Sequence, residues 1–518
     1  MKKTVVIIGA GPAGLTAACE VLSNYHEYEV IILEESNEIG GIAKTVKYKG
    51  NRMDMGGHRF FTKNQRVMDW WTNFLPIQGS LSYDDKILGR SCTLNKNGPD
   101  PEKEDEVFLR RQRLSRIYFR KKFFDYPIKV NMRTICNLGI SNTVISGVDY
   151  CIAMIFKKKE VSLENFYINH FGKKLYSLFF EDYTTKVWGR HPRSISAEWG
   201  EQRVKGISIK TVLKDWFQNA PIYRRNNKQK EVETSLIREF YYPKHGPGQL
   251  WELVADRITQ KGGCILFDST VRQCIKKDSH ITEVIYEKNG KKITLACDIV
   301  ISSMPIKDLV GGMENVPDRI QYIAKGLQYR DYVTLGILVK DLDIHNTTDI
   351  KTIRNCIPDS WMYIQDRGIM LGRIQIYNNW SPYMIEDPDH TIWLGLEYFC
   401  REGDDLWNKS EEELKRFAGE ELIQIGLIKS SEEILDVHKV KVKKAYPAYF
   451  DTYSEFEELK AYLNSIDNLY CIGRNGQHHY NNMDHSMLTA FEAVEAIVNQ
   501  KKDKSNIWNV NIEKSYHE

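Results

Sequence analysis

Short apolar runs bounded by glycine or polar turns recur along the chain and predict strands buried on both faces. The first is Thr4-Val5-Val6-Ile7-Ile8 and the second Val30 to Leu33, with helical character from Leu15 to Leu22 between them. A third runs from Asp298 to Ser303, and a fourth, Leu469 to Arg474, comes near the end. Tyr332 to Val339, Trp361 to Gln365, Ile369 to Tyr377 and Thr391 to Cys400 predict a second, mixed sheet. Ile281 to Glu287 and Lys292 to Ala296 flank Asn289-Gly290 and predict a hairpin. Asn131 to Lys186 has no strand signal and predicts a helical unit. Helices are also predicted over Gln249 to Lys261, Glu411 to Gln424 and Met487 to Asn499. The polar stretch Leu81 to Arg116 is expected to be an exposed insertion, Lys205 to Glu233 a lid or linker, and the chain from Gln500 onward an unfolded polar tail.

The join between the first strand and the first helix reads Gly9-Ala10-Gly11-Pro12-Ala13-Gly14, and the second strand ends on Glu34. Gly9 permits a tight turn, Gly11 lets the backbone approach a pyrophosphate, and Gly14 lets helix and strand pack closely. The helix start offers free N–H groups to phosphates, and Glu34 can accept from ribose hydroxyls. The motif in this context predicts a Rossmann-like dinucleotide-binding domain. Two further glycine pairs follow, Gly40-Gly41 and Gly56-Gly57, the second beside His58. Three such loops point to a flavoprotein of the glutathione-reductase-like class, with FAD favoured over NAD. The expected fold is therefore α/β: a discontinuous FAD-binding domain (1–80, 235–310 and 466–500), an inserted helical subdomain (131–234) and a mixed-sheet substrate domain (81–130 and 311–465), followed by a tail (501–518).

Composition adds bounds. A net charge of +3 over 518 residues gives no general surface for nucleic acid. The ten cysteines are scattered without a CxxC pair, and His478-His479 has no third ligand nearby, so neither a metal nor a disulfide framework is expected. Val144 to Phe156 carries Asp149 and is too short to span a bilayer, so no membrane insertion and a cytoplasmic location are expected.

In order and spacing, the motifs resemble the UDP-galactopyranose mutase family, its eukaryotic-type branch in particular, within the amine-oxidase-like flavoproteins. Gly56-Gly57-His58 resembles the loop that places a histidine near the flavin N5. Tyr126-Pro127 resembles the uracil-contacting segment, and Lys186-Val187-Trp188-Gly189 followed by Trp199 to Val204 resembles a segment ending in a substrate-gripping arginine, Arg203. Trp361-Met362-Tyr363 and Asn379 to Tyr383 are similar to a sheet segment of that branch. Gly473-Arg474, Tyr480, and Asn482-Met483-Asp484 resemble the C-terminal flavin-covering motif. Departures lie at Ile128-Lys129 and Thr184, and the second phosphate-binding cation is ambiguous between Arg330 and Lys340.

The resemblance implies FAD, active in its reduced form, held by Gly9, Gly11, Pro12, Ala13, Gly14, Glu34, Glu35, Gly41, Gly56, Gly57, His58, Val271, Gly473, Arg474, Asn482, Met483 and Asp484. It implies a nucleotide-sugar substrate held by Tyr126, Trp188, Arg203, Tyr329, Arg330, Lys340, Tyr446 and Tyr480, with His58, Arg203 and Arg330 nearest the chemistry. The implied reaction is a non-redox interconversion of pyranose and furanose rings, in which the reduced flavin attacks the anomeric carbon through N5 and arginines hold the departing diphosphate. A route to surface glycan precursors, NAD(P)H as reductant at the substrate site, and a homo-oligomer are compatible with it. The competing class is an FAD-dependent oxidoreductase resembling amine oxidases, protoporphyrinogen oxidases or desaturases, which shares the first glycine motif, the acidic residue and the C-terminal strand.

Overall fold

In the computed structural model, which describes residues 2–126, 128, 131–197, 200 and 239–510, the apolar runs assemble into one five-stranded parallel sheet. Its order is Leu469–Cys471, Ile299–Ser302, Lys3–Ile8, Tyr28–Leu33, Cys264–Leu266. Val5 and Ile7 face a core shared with the helices Pro12–Asn24, Gly248–Gln260 and Met483–Val498. Val6 and Ile8 face a second core, shared with the helices Ile306–Gly311 and Phe456–Asn464. Burial on both faces is why these strands read as continuous apolar runs, and the fold is the expected Rossmann-like α/β class.

A three-stranded antiparallel sheet, Thr270–Lys277, His280–Lys288 and Lys291–Ala296, covers part of the second core. Asn289 (φ 52°) and Gly290 (φ 71°) make its tight turn, the geometry that favours this residue pair.

The second large sheet has seven strands. Its order is Ile434–Ala448, Gln328–Val339, Ile392–Cys400, Arg373–Ile376, Trp361–Ile364, Ser115–Phe119, Lys122–Asp125. Only the pairing of Trp361–Ile364 with Ser115–Phe119 is parallel, which makes the sheet mixed. The edge strand Ile434–Ala448 escaped the sequence reading because Lys439, Lys441 and Lys443 break its apolar pattern, as charges on an edge strand do. The helices Met132–Leu138, Ile140–Ile155, Leu163–Phe171, Lys173–Phe179 and Glu181–Trp188 form the helical unit.

Two expectations need correction. Leu81 to Arg116 is only partly an exposed insertion: residues 93–97 and 102–106 are exposed, but Val107, Phe108 and Leu109 are core residues, and the Arg111 guanidinium pairs with buried Asp84 at 2.6 Å. The chain after Gln500 is not wholly a loose tail either: Ile507 and Trp508 are buried, and Trp508 Nε1 donates to Asn464 Oδ1.

Candidate functional site

The first glycine turn is sterically determined. Gly9 sits at φ +100°, and a Cβ there would lie 2.3 Å from Ser303 Oγ. A Cβ on Gly14 would lie 2.0 Å from the Gly9 carbonyl oxygen, so helix and turn meet only through glycine. Pro12 occupies the first helical turn, where its missing N–H costs nothing. Glu34 is buried; its Oε2 accepts from Ala10 N–H at 2.7 Å and its Oε1 from Ser36. The carboxylate thus ties the turn to the second strand, and Oε2 keeps a further acceptor position. Gly41 approaches Gly11: a Cβ on it would lie 3.3 Å from Gly11 Cα. Gly473 (φ +72°) brings the last strand against Ala13 at the start of the first helix. Val271 lies just beyond Ser269, whose N–H donates to Glu34 O, and it packs on the second core.

A cavity of ≈ 290 Å³ lies between the seven-stranded sheet and the helical unit and reaches the Gly56-Gly57-His58 loop. Gly56, Gly57, His58, Arg474, Tyr480, Asn482, Met483 and Asp484 line its dinucleotide side. Asn482 caps the helix Met483–Val498, whose first turn contributes to the wall. The sheet contributes Trp361, Tyr363, Arg373 and Glu397, and the helical unit contributes Phe171, Leu175, Phe179, Phe180, Tyr183 and Trp188.

Charge in this cavity is unbalanced toward positive. Arg59, Arg113, Arg373 and Arg474 line it, against Glu397 and Asp484. Arg373 forms an ion pair with Glu397, whose side chain is 1% exposed, and also donates to Tyr446 Oη. Gln375 Nε2 donates to the same carboxylate at 3.1 Å. Arg59 and Arg113 lie over the Trp361 ring, 5.6 and 5.7 Å from its centroid, and Arg59 Nη1 is buried with no hydrogen bond among the described residues. Arg474 donates to Asn481 O and Ala445 O and lies 4.6 Å from the Tyr480 ring centroid. Tyr126 packs against Tyr363 at a tilt of 36°, with centroids 4.4 Å apart. Burial, helped by the nearby Arg474 and Arg373 charges, lowers His58 to about 3, so its imidazole is neutral at ordinary pH. Its Nδ1 is buried without a partner among the described residues. The donors, the surplus cations and the apolar wall suit a large amphipathic anion.

Several expected residues are placed elsewhere. Arg330 is buried with its guanidinium spent on the carbonyls of Val187, Lys186 and Phe399, so it pins the end of the helix Glu181–Trp188 to the sheet and takes no part in the cavity wall. Lys340 is exposed just past the strand Gln328–Val339, away from the cavity. Tyr329 packs edge-on against His478, centroids 4.7 Å apart, also outside the wall. Glu35 is exposed beyond the end of the second strand. Arg203, Trp199, Pro127 and Lys129 lie outside the described residues. Tyr126, Trp188, Tyr446 and Tyr480 do come together on the cavity. Arg373, Arg59 and Arg113 were missed. Arg373 lies inside the predicted strand Ile369 to Tyr377, where a lone arginine in a buried run was the available signal.

Residues 7–74 match the family model of an NAD(P)-binding Rossmann-like domain. No curated protein matches the chain in sequence. The structure is similar to that of reduced UDP-galactopyranose mutase (TM-score 0.74, 19% identity), over 100% of this chain and 99% of that one. It is also similar to a provisionally assigned protoporphyrinogen oxidase from Exiguobacterium sp. 255-15 (TM-score 0.66, 13% identity, 97% of this chain and 100% of that one). A third similar structure is putrescine oxidase bound to putrescine (TM-score 0.55, 13% identity, 96% and 99% of the two chains). At these identities the likeness shows a shared fold.

Proposed function

We propose that the protein is a flavin-dependent isomerase interconverting the pyranose and furanose forms of a UDP-galactose-like nucleotide sugar. The observation that carries this reading is the set of arginines and tyrosines gathered on one cavity beside the Gly56-Gly57-His58 loop. An oxidase pocket for an amine would not need four guanidiniums. FAD fits the residues present: the glycine turn and the start of Pro12–Asn24 would hold the pyrophosphate, Glu34 the ribose, and the Gly56-Gly57-His58 loop with the first turn of Met483–Val498 the ring system. A bound reduced flavin supplies a nucleophilic ring nitrogen and is restored in each turnover, so no oxidant is consumed.

The chain's own residues do the rest. Arg373, Arg59 and Arg113 hold the diphosphate and stabilise the charge it gains as the glycosidic bond breaks. Tyr446 and Tyr480 add O–H donors, and the tilted Tyr126 and Tyr363 rings offer a face for the base. His58, being neutral, orients by hydrogen bonding and adds no charge beside the reacting centre. Phe171, Leu175, Phe179 and Phe180 exclude water, which strengthens each of these contacts. Arg203 is proposed as a further phosphate ligand.

That apolar wall is also the one observation favouring a second reading, an FAD-dependent oxidoreductase for an apolar substrate. Anaerobic incubation of dithionite-reduced holoprotein with UDP-galactopyranose, with products separated by chromatography, distinguishes the two. The mutase reading expects a furanose product only from reduced protein. Oxygen-linked turnover of an amine or polyene, with no sugar interconversion, contradicts it.

A further inference from the structure

The helix Ile140–Ile155 turns its apolar side outward. Its packed side carries buried Ser146 and Ala153, and its backbone at Asp149 and Tyr150 lies against Gly172. On the opposite side Ile140, Val144, Val148, Ile152 and Ile155 recur at three- and four-residue spacing, with Ile140 80% and Ile155 74% exposed. Phe156, 72% exposed, closes the row. A surface helix ordinarily buries such a stripe. The preceding helix Met132–Leu138 is bent from it by 108°, and no single helix among the described residues is long and apolar enough to cross a membrane.

The charge beside this row is mainly positive. Residues 131–160 contain the bases Arg133, Lys157, Lys158 and Lys159 against two acids, Asp149, whose backbone lies on the packed side, and Glu160, which is turned to Asn169 and His170. The three lysines are exposed and follow Phe156 directly. Protein-docking hot spots are enriched in Trp, Tyr and Arg, and the row holds none of them. Aliphatic side chains ending in one aromatic and a basic cluster are what a helix lying in the headgroup region presents. We propose that this face docks on an anionic lipid surface, with Ile140–Ile155 in the plane of the interface and Lys157–Lys159 against the headgroups. The helices it packs on, Leu163–Phe171 and Lys173–Phe179, also wall the cavity, so docking holds the site near the membrane without inserting the chain.

The test is co-sedimentation of full-length holoprotein with vesicles of phosphatidylcholine alone and of phosphatidylcholine mixed with phosphatidylglycerol. The proposal expects binding to the mixed vesicles that weakens with added salt. Lys157→Gln/Lys158→Gln/Lys159→Gln should weaken it on the order of 100-fold, from a several-fold loss per lysine. Val148→Glu/Ile152→Glu should abolish binding to the mixed vesicles while leaving the melting temperature unchanged, since both positions are exposed. Absence of binding to mixed vesicles at low salt overturns the proposal. So does a wild-type oligomer that Val148→Glu/Ile152→Glu converts to monomer without any change in vesicle binding, because the face then joins copies of the chain.

Discussion

Replacing Arg373 separates what the cavity needs for folding from what it needs for binding. Its guanidinium is the partner of Glu397, a carboxylate with 1% exposure whose other donor is Gln375. Arg373→Met leaves that carboxylate buried and uncompensated, and breaking such a pair from one side costs about 3–5 kcal/mol. The Arg373 side chain is itself 19% exposed, so water offsets part of this and the low end, about 3 kcal/mol, is expected. Adding Glu397→Gln removes the stranded charge, and the double variant should recover to within about 1 kcal/mol of wild type. Urea unfolding of the wild type, both single variants and the double variant, at constant slope, gives a coupling energy of about 2 kcal/mol or more. The double variant should fold but bind UDP no better than Arg373→Met. Additive effects within about 0.5 kcal/mol, or a cost for Arg373→Met under about 1 kcal/mol, would refute the reasoning.

Asp54 gives a pH signature. Burial, opposed by hydrogen bonds from Tyr242 and Thr45, raises its carboxyl to about 7. The folded state then binds more protons than the unfolded chain between the ordinary carboxylate range and pH 7, so stability falls as pH rises through that window, by up to about 4 kcal/mol. Asp54→Asn should flatten that slope in urea titrations across the window. At Asp84, burial pushes the carboxyl up, but the Arg111 and Arg90 guanidiniums outweigh it and hold the group below the usual range. Its contribution is therefore present at neutral pH and lost in acid, and Arg111→Met should destabilise by about 3 kcal/mol in the same assay, because Arg111 and Asp84 side chains are each 3% exposed. Gly14→Ala should yield protein depleted of flavin absorbance, since its Cβ cannot share space with the Gly9 carbonyl.

The parallel strands and their glycine turn were legible because Val5 to Ile8 are buried on both faces and because Gly14 is fixed by contact with the Gly9 carbonyl, five positions before it. Local constraints of this kind appear directly in the residue pattern. The roles of the Gly56-Gly57-His58 loop and the Asn482–Asp484 helix start were legible only through resemblance to a known family, since Gly57 meets Trp380 and Gln375, which are remote in sequence. Arg373 was not, since its role depends on Glu397 in the neighbouring strand Ile392–Cys400 and on Tyr446 at the far edge of the sheet, a pairing set by tertiary register. Arg330 misled for the complementary reason: two of the acceptors that occupy it, Val187 O and Lys186 O, come from a helix some 140 positions away in sequence, and the third, Phe399 O, from another strand. The ion cluster around Arg111 likewise read as surface, because charge neutralised in three dimensions looks identical in sequence to charge left in water.

The proposed function requires that one cavity hold a nucleoside diphosphate against a bound flavin through the arginines that line it. Titration of UDP into the holoprotein, followed by the flavin absorbance spectrum, tests it most directly. Saturable binding at one site is expected, perturbing the flavin band, weakening with salt, and dropping at least tenfold in Arg59→Met, whose buried Nη1 has no hydrogen bond among the described residues. UDP that leaves the flavin spectrum unchanged, or that binds Arg59→Met as well as wild type, would contradict it.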